Sequence, residues 1–372
     1  MEHRYSENLH SPGAELVQKT LLQKLSALTR FHAGYFRISL SLCAQALLWK
    51  TLSAADPRAL HFILHLLPAA AFDVLWSFAL SSLVVLCALY AIRCACRFDC
   101  FKAELGHHVG VNYLFAPWAS ALLLLQCAPS PFLRPERPAY HVLWWAFAVP
   151  ILVLDVKVYG QWFTKGRKYC LSAVANPTSQ MTVIANMAAA AAAAATDLKE
   201  IATCMFTVGL AHYLVLFVTL YQRLAGSESL LPALLRPVFF LFFAAPATAS
   251  VAWAAISGGG GSGGGFDTAA KMLFFLSFFL FLCLVSRPAL FWRSMRTFSL
   301  AWWAYSFPLT VLALAAEKYA QEVKGGVPNA IMVVLSLVSA LVTVALILFS
   351  AFNPALLLPH RDPFLPQPSI PS

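Results

Sequence analysis

FSLAWWAYSFPLTVLALA, residues 298–315, is an uncharged apolar stretch with a proline in its second half. About 20 such residues cross the ~30 Å of hydrocarbon in a bilayer. Pro308 removes one backbone donor from that helix and strands a carbonyl one turn earlier. A stranded carbonyl is tolerated at membrane depth only where neighbouring helices, side chains or water reach it. The stretch therefore reads as a membrane span enclosed by protein or lining a wet path.

The rest of the chain repeats the pattern. Ten apolar spans are readable, at roughly 32–51, 72–92, 111–128, 140–158, 178–196, 200–221, 237–256, 271–291, 298–317 and 328–351. The odd spans carry Gly34, Pro117, Pro177, Pro246 and Pro308 as breakers, whereas among the even spans only the fourth has one, Pro150. Short connections pair each odd span with the even span after it. The fold expected is all-α and integral to a membrane: ten transmembrane helices as five hairpins. Five kinked inner helices form a pore, and five outer helices face lipid. The domain division is a short cytoplasmic N-terminus (1–31), a ten-helix channel domain (32–351) and a short cytoplasmic tail (352–372).

Composition agrees. The hydrophobic fraction is 60%, the charged fraction 11% and the mean hydropathy +0.71, values that exclude an ordinary soluble domain. The first 31 residues contain no apolar stretch like a signal peptide, so the first span serves as its own insertion signal.

The net charge of +10 is distributed unevenly. With the N-terminus on the cytoplasmic side, that side collects 17 Lys and Arg residues. They are Arg4, Lys19, Lys24 and Arg30, then Arg93, Arg97 and Lys102, then Lys157, Lys165, Arg167 and Lys168, then Arg223 and Arg236, then Arg287, Arg293 and Arg296, and finally Arg361. The opposite side collects 8: Lys50, Arg58, Arg134, Arg137, Lys199, Lys271, Lys318 and Lys324. This bias places both termini in the cytoplasm and makes the cytoplasmic mouth electropositive, which concentrates anions there. With the charge spread around a membrane mouth, nucleic acid is not an expected partner; membrane lipid is.

No catalytic signature is present: no Gly-x-Ser-x-Gly, no His-Glu-x-x-His, no phosphate loop. The chain reads as a non-enzyme without a cofactor. Nine cysteines follow no framework spacing. Cys94, Cys96 and Cys100, with His107 and His108 nearby, lack the tighter spacing and fourth ligand of a metal site, and read as reduced thiols. Asp73 and Asp155 sit near span ends, where snorkelling or capping accounts for a carboxylate. The small residues of Met187 and the eight alanines after it permit close backbone approach between membrane helices. Residues 258–265, GGGGSGGG, form a linker.

Two residues stand out within the spans. Arg37 is the one charge well inside a span. Such a residue is costly and is paired or water-facing, so it is a candidate for drawing anions into the pore, against a structural role in which it snorkels or bonds a neighbouring helix. Phe307 directly precedes Pro308 and projects from the kink. It is a candidate plug for a narrow pore, against the ordinary reading of a core or lipid-facing phenylalanine.

Several long segments now point to a family. FHAGYFRISLSLCAQALLW (31–49), VNYLFAPWAS (111–120), VYGQWFTKGRKYCLSAVANPTSQMTVIANM (158–187), VGLAHYLVLFVTLYQRL (208–224), FFAAPATASVAW (242–253) and FSLAWWAYSFPLTVLALAAEKYA (298–320) occur in order. Together they resemble the plant slow-type (S-type) anion channels of guard cells and roots, relatives of the bacterial and fungal tellurite-resistance/dicarboxylate transporters. The resemblance implies a homotrimer, or a heterotrimer with longer members, in which each subunit has its own pore. It places the family's occluding phenylalanine on Phe307. The second pore phenylalanine of plant relatives falls on Leu123, a departure from a two-ring gate. The short ends and Arg37 fit the short-tailed subclass. The function implied is passage of chloride and nitrate across the plant plasma membrane. Alternatives are a transporter of dicarboxylates such as malate, and a non-conducting subunit that modulates a longer homologue.

Overall fold

The computed structural model describes residues 31–54, 71–164, 171, 175–226, 233–258, 265–292, 294–296 and 298–357. Regular structure among these residues is entirely helical: α1 (Phe36–Ala54), α2 (Ala71–Cys96), α3 (Phe98–Gly106), α4 (Gly110–Tyr113), α5 (Ala116–Gln126), α6 (Pro138–Thr164), α7 (Gln180–Ala194), α8 (Lys199–Gly226), α9 (Leu241–Ser257), α10 (Thr268–Val285), α11 (Pro288–Trp292), α12 (Trp303–Val323), α13 (Gly326–Phe352) and α14 (Pro354–Leu357).

Five of these helices close a ring. α1 packs on α5, α5 on α7, α7 on α9, α9 on α12, and α12 returns to α1. Each ring helix also packs against the helix that follows it outside the ring: α2, α6, α8, α10 and α13 respectively. Each outer helix in turn touches the next ring helix, so one packing unit recurs five times. Burial separates the two layers. The apolar windows of the outer helices are only 11–33% buried, whereas that of α9 is 78% buried, and every residue from Gln180 to Ala193 of α7 is buried. The outer surfaces present Val, Leu and Phe side chains, as a lipid-facing stripe requires.

Six helices are long and apolar enough to cross a bilayer, or seven if α3 and α4–α5, bent by 104°, count as one broken span. The ring helices α1, α7 and α12 are not among the six. α7 has only 15 residues, and α12 ends in Glu317, Lys318 and Glu322. A helix enclosed by other helices need not be apolar all round, because protein groups and not lipid meet its polar residues.

The breakers do not all act as kinks. Pro246 and Pro308 lie inside α9 and α12. Gly34 and Pro177 lie instead in 3-10 turns that precede α1 and α7, and Pro117 sits in the first turn of α5. At a helix start the missing N–H of proline is one of the donors that has no partner anyway. Asn176 caps the Pro177 turn, its side chain accepting from the Thr178 N–H while the Ser179 hydroxyl accepts from the Asn176 N–H. Around Pro246, the Ser277 hydroxyl of α10 donates to the Phe243 carbonyl at 2.7 Å, and Thr248 donates to the Ala244 carbonyl at 2.7 Å.

The alanine run of α7 permits close approach on several sides. Tyr140 and Trp144 of α6 donate directly to the carbonyls of Ala192 (2.9 Å) and Ala189 (3.0 Å). A Cβ on Gly209 of α8 would stand 3.0 Å from Met187 Cε and 3.1 Å from Asn186 Cβ. The seam where α12 meets α1 is polar. Gln45 Nε2 stands 3.1 Å from Thr310 Oγ1, 2.6 Å from Ser339 Oγ and 2.9 Å from Thr343 Oγ1, two protons serving three acceptors. Ser306 and Thr343 hydroxyls pair at 2.7 Å.

Most of the GGGGSGGG linker lies outside the described residues. Its ends meet: a Cβ on Gly265 would stand 2.8 Å from the Gly258 Cα.

Candidate functional site

The C-terminal ends of the five ring helices open into one cavity of about 490 Å³. Its wall includes Thr51 of α1, Gln126 of α5, Ala191 of α7, Ala254 of α9, and Lys318 and Glu322 of α12. All five helices therefore run the same way, and their N-terminal ends gather at the opposite end of the ring.

Helical periodicity carries the lining face down from this vestibule. Residues seven apart on a helix differ by ~20° in direction and ~10 Å in height. Phe307 lies seven residues before Leu314, which lines the vestibule, so it projects toward the same axis about two turns deeper. Its side chain is 2% exposed. Arg37 lies fourteen residues before Thr51, within ~40° of the same face and ~21 Å deeper. Leu123 is three residues before Gln126, on the flank of that face, and is buried.

Arg37 is 7% exposed. Its Nε donates to the Gly34 carbonyl at 3.0 Å, and its guanidinium carbon lies 4.6 Å from the centre of the Tyr113 ring. Its Nη1 has no hydrogen-bond partner. Gly34 is needed here for space: a Cβ would stand 2.6 Å from His32 Cε1 and 3.2 Å from Arg37 Nη2. Both ends of this local cluster are therefore packed around the arginine head.

Fixed charge is scarce along the ring. α4, α5, α7 and α9 contain none, α1 contains Arg37 and Lys50, and α12 contains Glu317, Lys318 and Glu322. Glu317 is fully buried and accepts from Gln321, with its other oxygen 3.7 Å from Lys318 Nζ. Lys50 donates to the Gln126 carbonyl at 3.0 Å, tying α1 to α5 at the rim. The Glu317–Lys318 pair was not singled out from sequence, although Lys318 lies eleven residues after Phe307, a spacing that returns to the same helix face.

Asp155 departs from the sequence reading, and Glu104 is a second buried carboxylate that the sequence did not single out. Asp155 is not a snorkelling end residue. It is 4% exposed, and Asn186 of α7 donates to it at 2.8 Å. Glu104 of α3 is fully buried. It accepts from the Ala33 N–H at 2.7 Å, from Tyr90 at 3.0 Å and from Arg93 at 2.7 Å. Among the described residues no group of three or more His, Cys, Asp or Glu could hold a metal ion; Cys100 is buried and Cys96 exposed.

The arrangement suits passage of a small ion along an axis with few fixed charges, whose charged groups lie at the two ends. Comparison with known proteins bears on which ion. Residues 30–351 match the protein family described as SLAC1, voltage-dependent anion channel. The chain is 52% identical over 341 residues to the S-type anion channel SLAH1 of Arabidopsis thaliana, covering 92% of this chain and 86% of the relative. It is equally similar, at 52% over 341 residues, to SLAH4 of the same plant, covering 91% and 87%. The guard cell S-type anion channel SLAC1 is 40% identical over 313 residues, covering 84% of this chain and 54% of the relative.

Proposed function

The chain belongs to the SLAC1 family of voltage-dependent anion channels, and on that premise we propose that it is a passive channel carrying chloride and nitrate across the plant plasma membrane. The observation that carries this reading is the closed ring of five parallel helices, with a vestibule at one end and Phe307 on the same axial face below it.

In this reading all ten helices of the two layers cross the membrane, as five hairpins, with both termini cytoplasmic. Three such subunits assemble, each with its own pore. The electropositive cytoplasmic side concentrates anions, and Arg37 admits them. The lumen beyond carries little fixed charge, so anions that shed water easily pass best. Phe307 closes the path, with Leu123 opposite where a second ring would otherwise stand. A change of the Phe307 rotamer, next to the Pro308 kink, opens it.

The test is two-electrode voltage clamp of oocytes expressing the chain alone, and together with a long-tailed relative, as wild type and as Phe307→Ala. Removing ~150–250 Å² of aromatic bulk should raise basal current, with a reversal potential that follows the chloride and nitrate gradients. A Phe307→Ala protein that reaches the surface and carries only wild-type current would refute the gate.

A further inference from the structure

One fully buried polar side chain on the ring belongs to a residue the proposed mechanism does not use. Gln180 opens α7 and is fully buried. Neither its Nε2 nor its Oε1 has a hydrogen-bond partner. A buried amide left unpaired costs on the order of 1–3 kcal/mol per group, a cost that a water or an ion meeting both amide atoms would remove.

Its direction follows from the vestibule. Gln180 lies eleven residues before Ala191, which lines that cavity. Eleven residues bring a helix back to within ~20° of the same face, ~16 Å deeper. Measured from the deepest residue of each helix that lines the vestibule, Leu314, Leu47 and Ala191, Phe307 lies ~10 Å, Arg37 ~15 Å and Gln180 ~16 Å below the wall. Gln180 and Arg37 thus stand at a similar level, beyond the ring of Phe307. Arg37 also keeps one buried nitrogen unpartnered. Two unfilled donors, one amide and one cationic, thus lie near the N-terminal ends of α1 and α7. Those ends carry the partial positive charge of their helix dipoles. The acidic residues of the ring helices, Glu317 and Glu322, lie at the far end, beyond Phe307.

We propose that Gln180 and Arg37 form a binding site for a partly dehydrated monovalent anion on the inner side of Phe307, with the Gln180 amide as its uncharged donor. This rests on the pore reading above. An amide N–H replaces one water of the anion's shell, and that replacement matters most for anions that hold water tightly. Gln180 therefore sets how well chloride competes with the more weakly hydrated nitrate.

The experiment uses the full chain carrying Phe307→Ala, so that the ring does not limit current, with and without Gln180→Leu and Gln180→Met. Under bi-ionic conditions the Gln180 variants should raise the nitrate-to-chloride permeability ratio by about fivefold, the worth of one hydrogen bond. A ratio within 1.5-fold of the Phe307→Ala parent, at equal surface expression, overturns the site. If the Phe307→Ala parent carries no current, the gate reading fails, and a second readout decides the site. In that readout the melting temperature of purified protein is measured in sodium chloride and in sodium gluconate at equal ionic strength. The protein with Gln180 intact should be stabilised by chloride, and Gln180→Leu should lose that response. An equal response in both proteins overturns the site. A merely structural Gln180 predicts a third pattern, in which Gln180→Leu shifts the baseline melting temperature but leaves the chloride response and the permeability ratio unchanged; that pattern also overturns the proposal.

Discussion

Removing the Glu104 carboxylate should cost the fold more than removing any single ring at its surface. Glu104 and Arg93 are 0% and 1% exposed and 2.7 Å apart, and Glu104 also holds the Ala33 N–H and the Tyr90 hydroxyl. The pair thereby fastens the turn that starts α1 to α2 and α3. Glu104→Ala removes the carboxylate 2.7 Å from the buried Arg93 guanidinium, a loss of about 3–5 kcal/mol. Replacing both, as Arg93→Met with Glu104→Leu, removes the guanidinium charge as well. It leaves the Ala33 N–H without a partner, at about 1–3 kcal/mol. Burial pushes the Glu104 carboxyl above its ordinary value despite Arg93 beside it, so desolvation outweighs pairing there and the double replacement should recover stability. The assay is unfolding of purified protein in mixed micelles of increasing denaturing detergent, for both singles and the double. A Glu104→Ala protein within about 1 kcal/mol of wild type, or a double variant less stable than Glu104→Ala, would refute the reasoning.

The remaining expectations are briefer. Arg37→Lys should keep much of the current, and Arg37→Gln should reduce it and weaken selection of anions over cations; equal loss of folded protein in both variants would show that the Gly34 and Tyr113 contacts, and not the charge, are what matters. Epitope tags at either terminus should be inaccessible in intact cells, and surface labelling of a C-terminal tag would contradict the charge-derived orientation. Shortening GGGGSGGG to three or four residues should leave surface expression and current intact, because Gly258 and Gly265 already meet and loop length itself costs only ~0.6 kcal/mol per doubling; loss of current at normal expression would assign that loop a role.

The outer helices were the easiest to read. Their outward faces are not covered by other helices and their apolar runs are long, as in α2 and α13. The ring helices were legible mainly through their breakers, and their limits moved. The span read from 237 begins as a helix only at Leu241, after a 3-10 stretch through Phe240. The span read from 111 is preceded by a sharp bend at residues 107–109. Proline marks both a helix start and a helix interior, and sequence alone did not separate Pro177 from Pro308. Phe307 and Arg37 were legible as candidates because a ring on a proline and a charge in an apolar run are conspicuous in one dimension. Asp155 and Glu104 were not. Asp155 meets Asn186 across two helices, 31 residues away. Glu104 meets Ala33 71 residues away. Such pairings exist only once the hairpins have been brought together.

The polar seam between α1 and α12 also orders the protein's biosynthesis. Gln45 leaves the ribosome among the first membrane residues, and its partner Thr310 follows 265 residues later. At ~5–20 residues per second, that interval is on the order of 15–50 s. The α1 hydroxyls donate to carbonyls of their own helix, but until then the Gln45 amide has only the translocon, water or a provisional neighbour to satisfy it. The ring is therefore an open arc for most of its synthesis, and α12 with α13 acts as its keystone: in a chain that stops before α12, Gln45 lacks the hydroxyls of Thr310, Ser339 and Thr343.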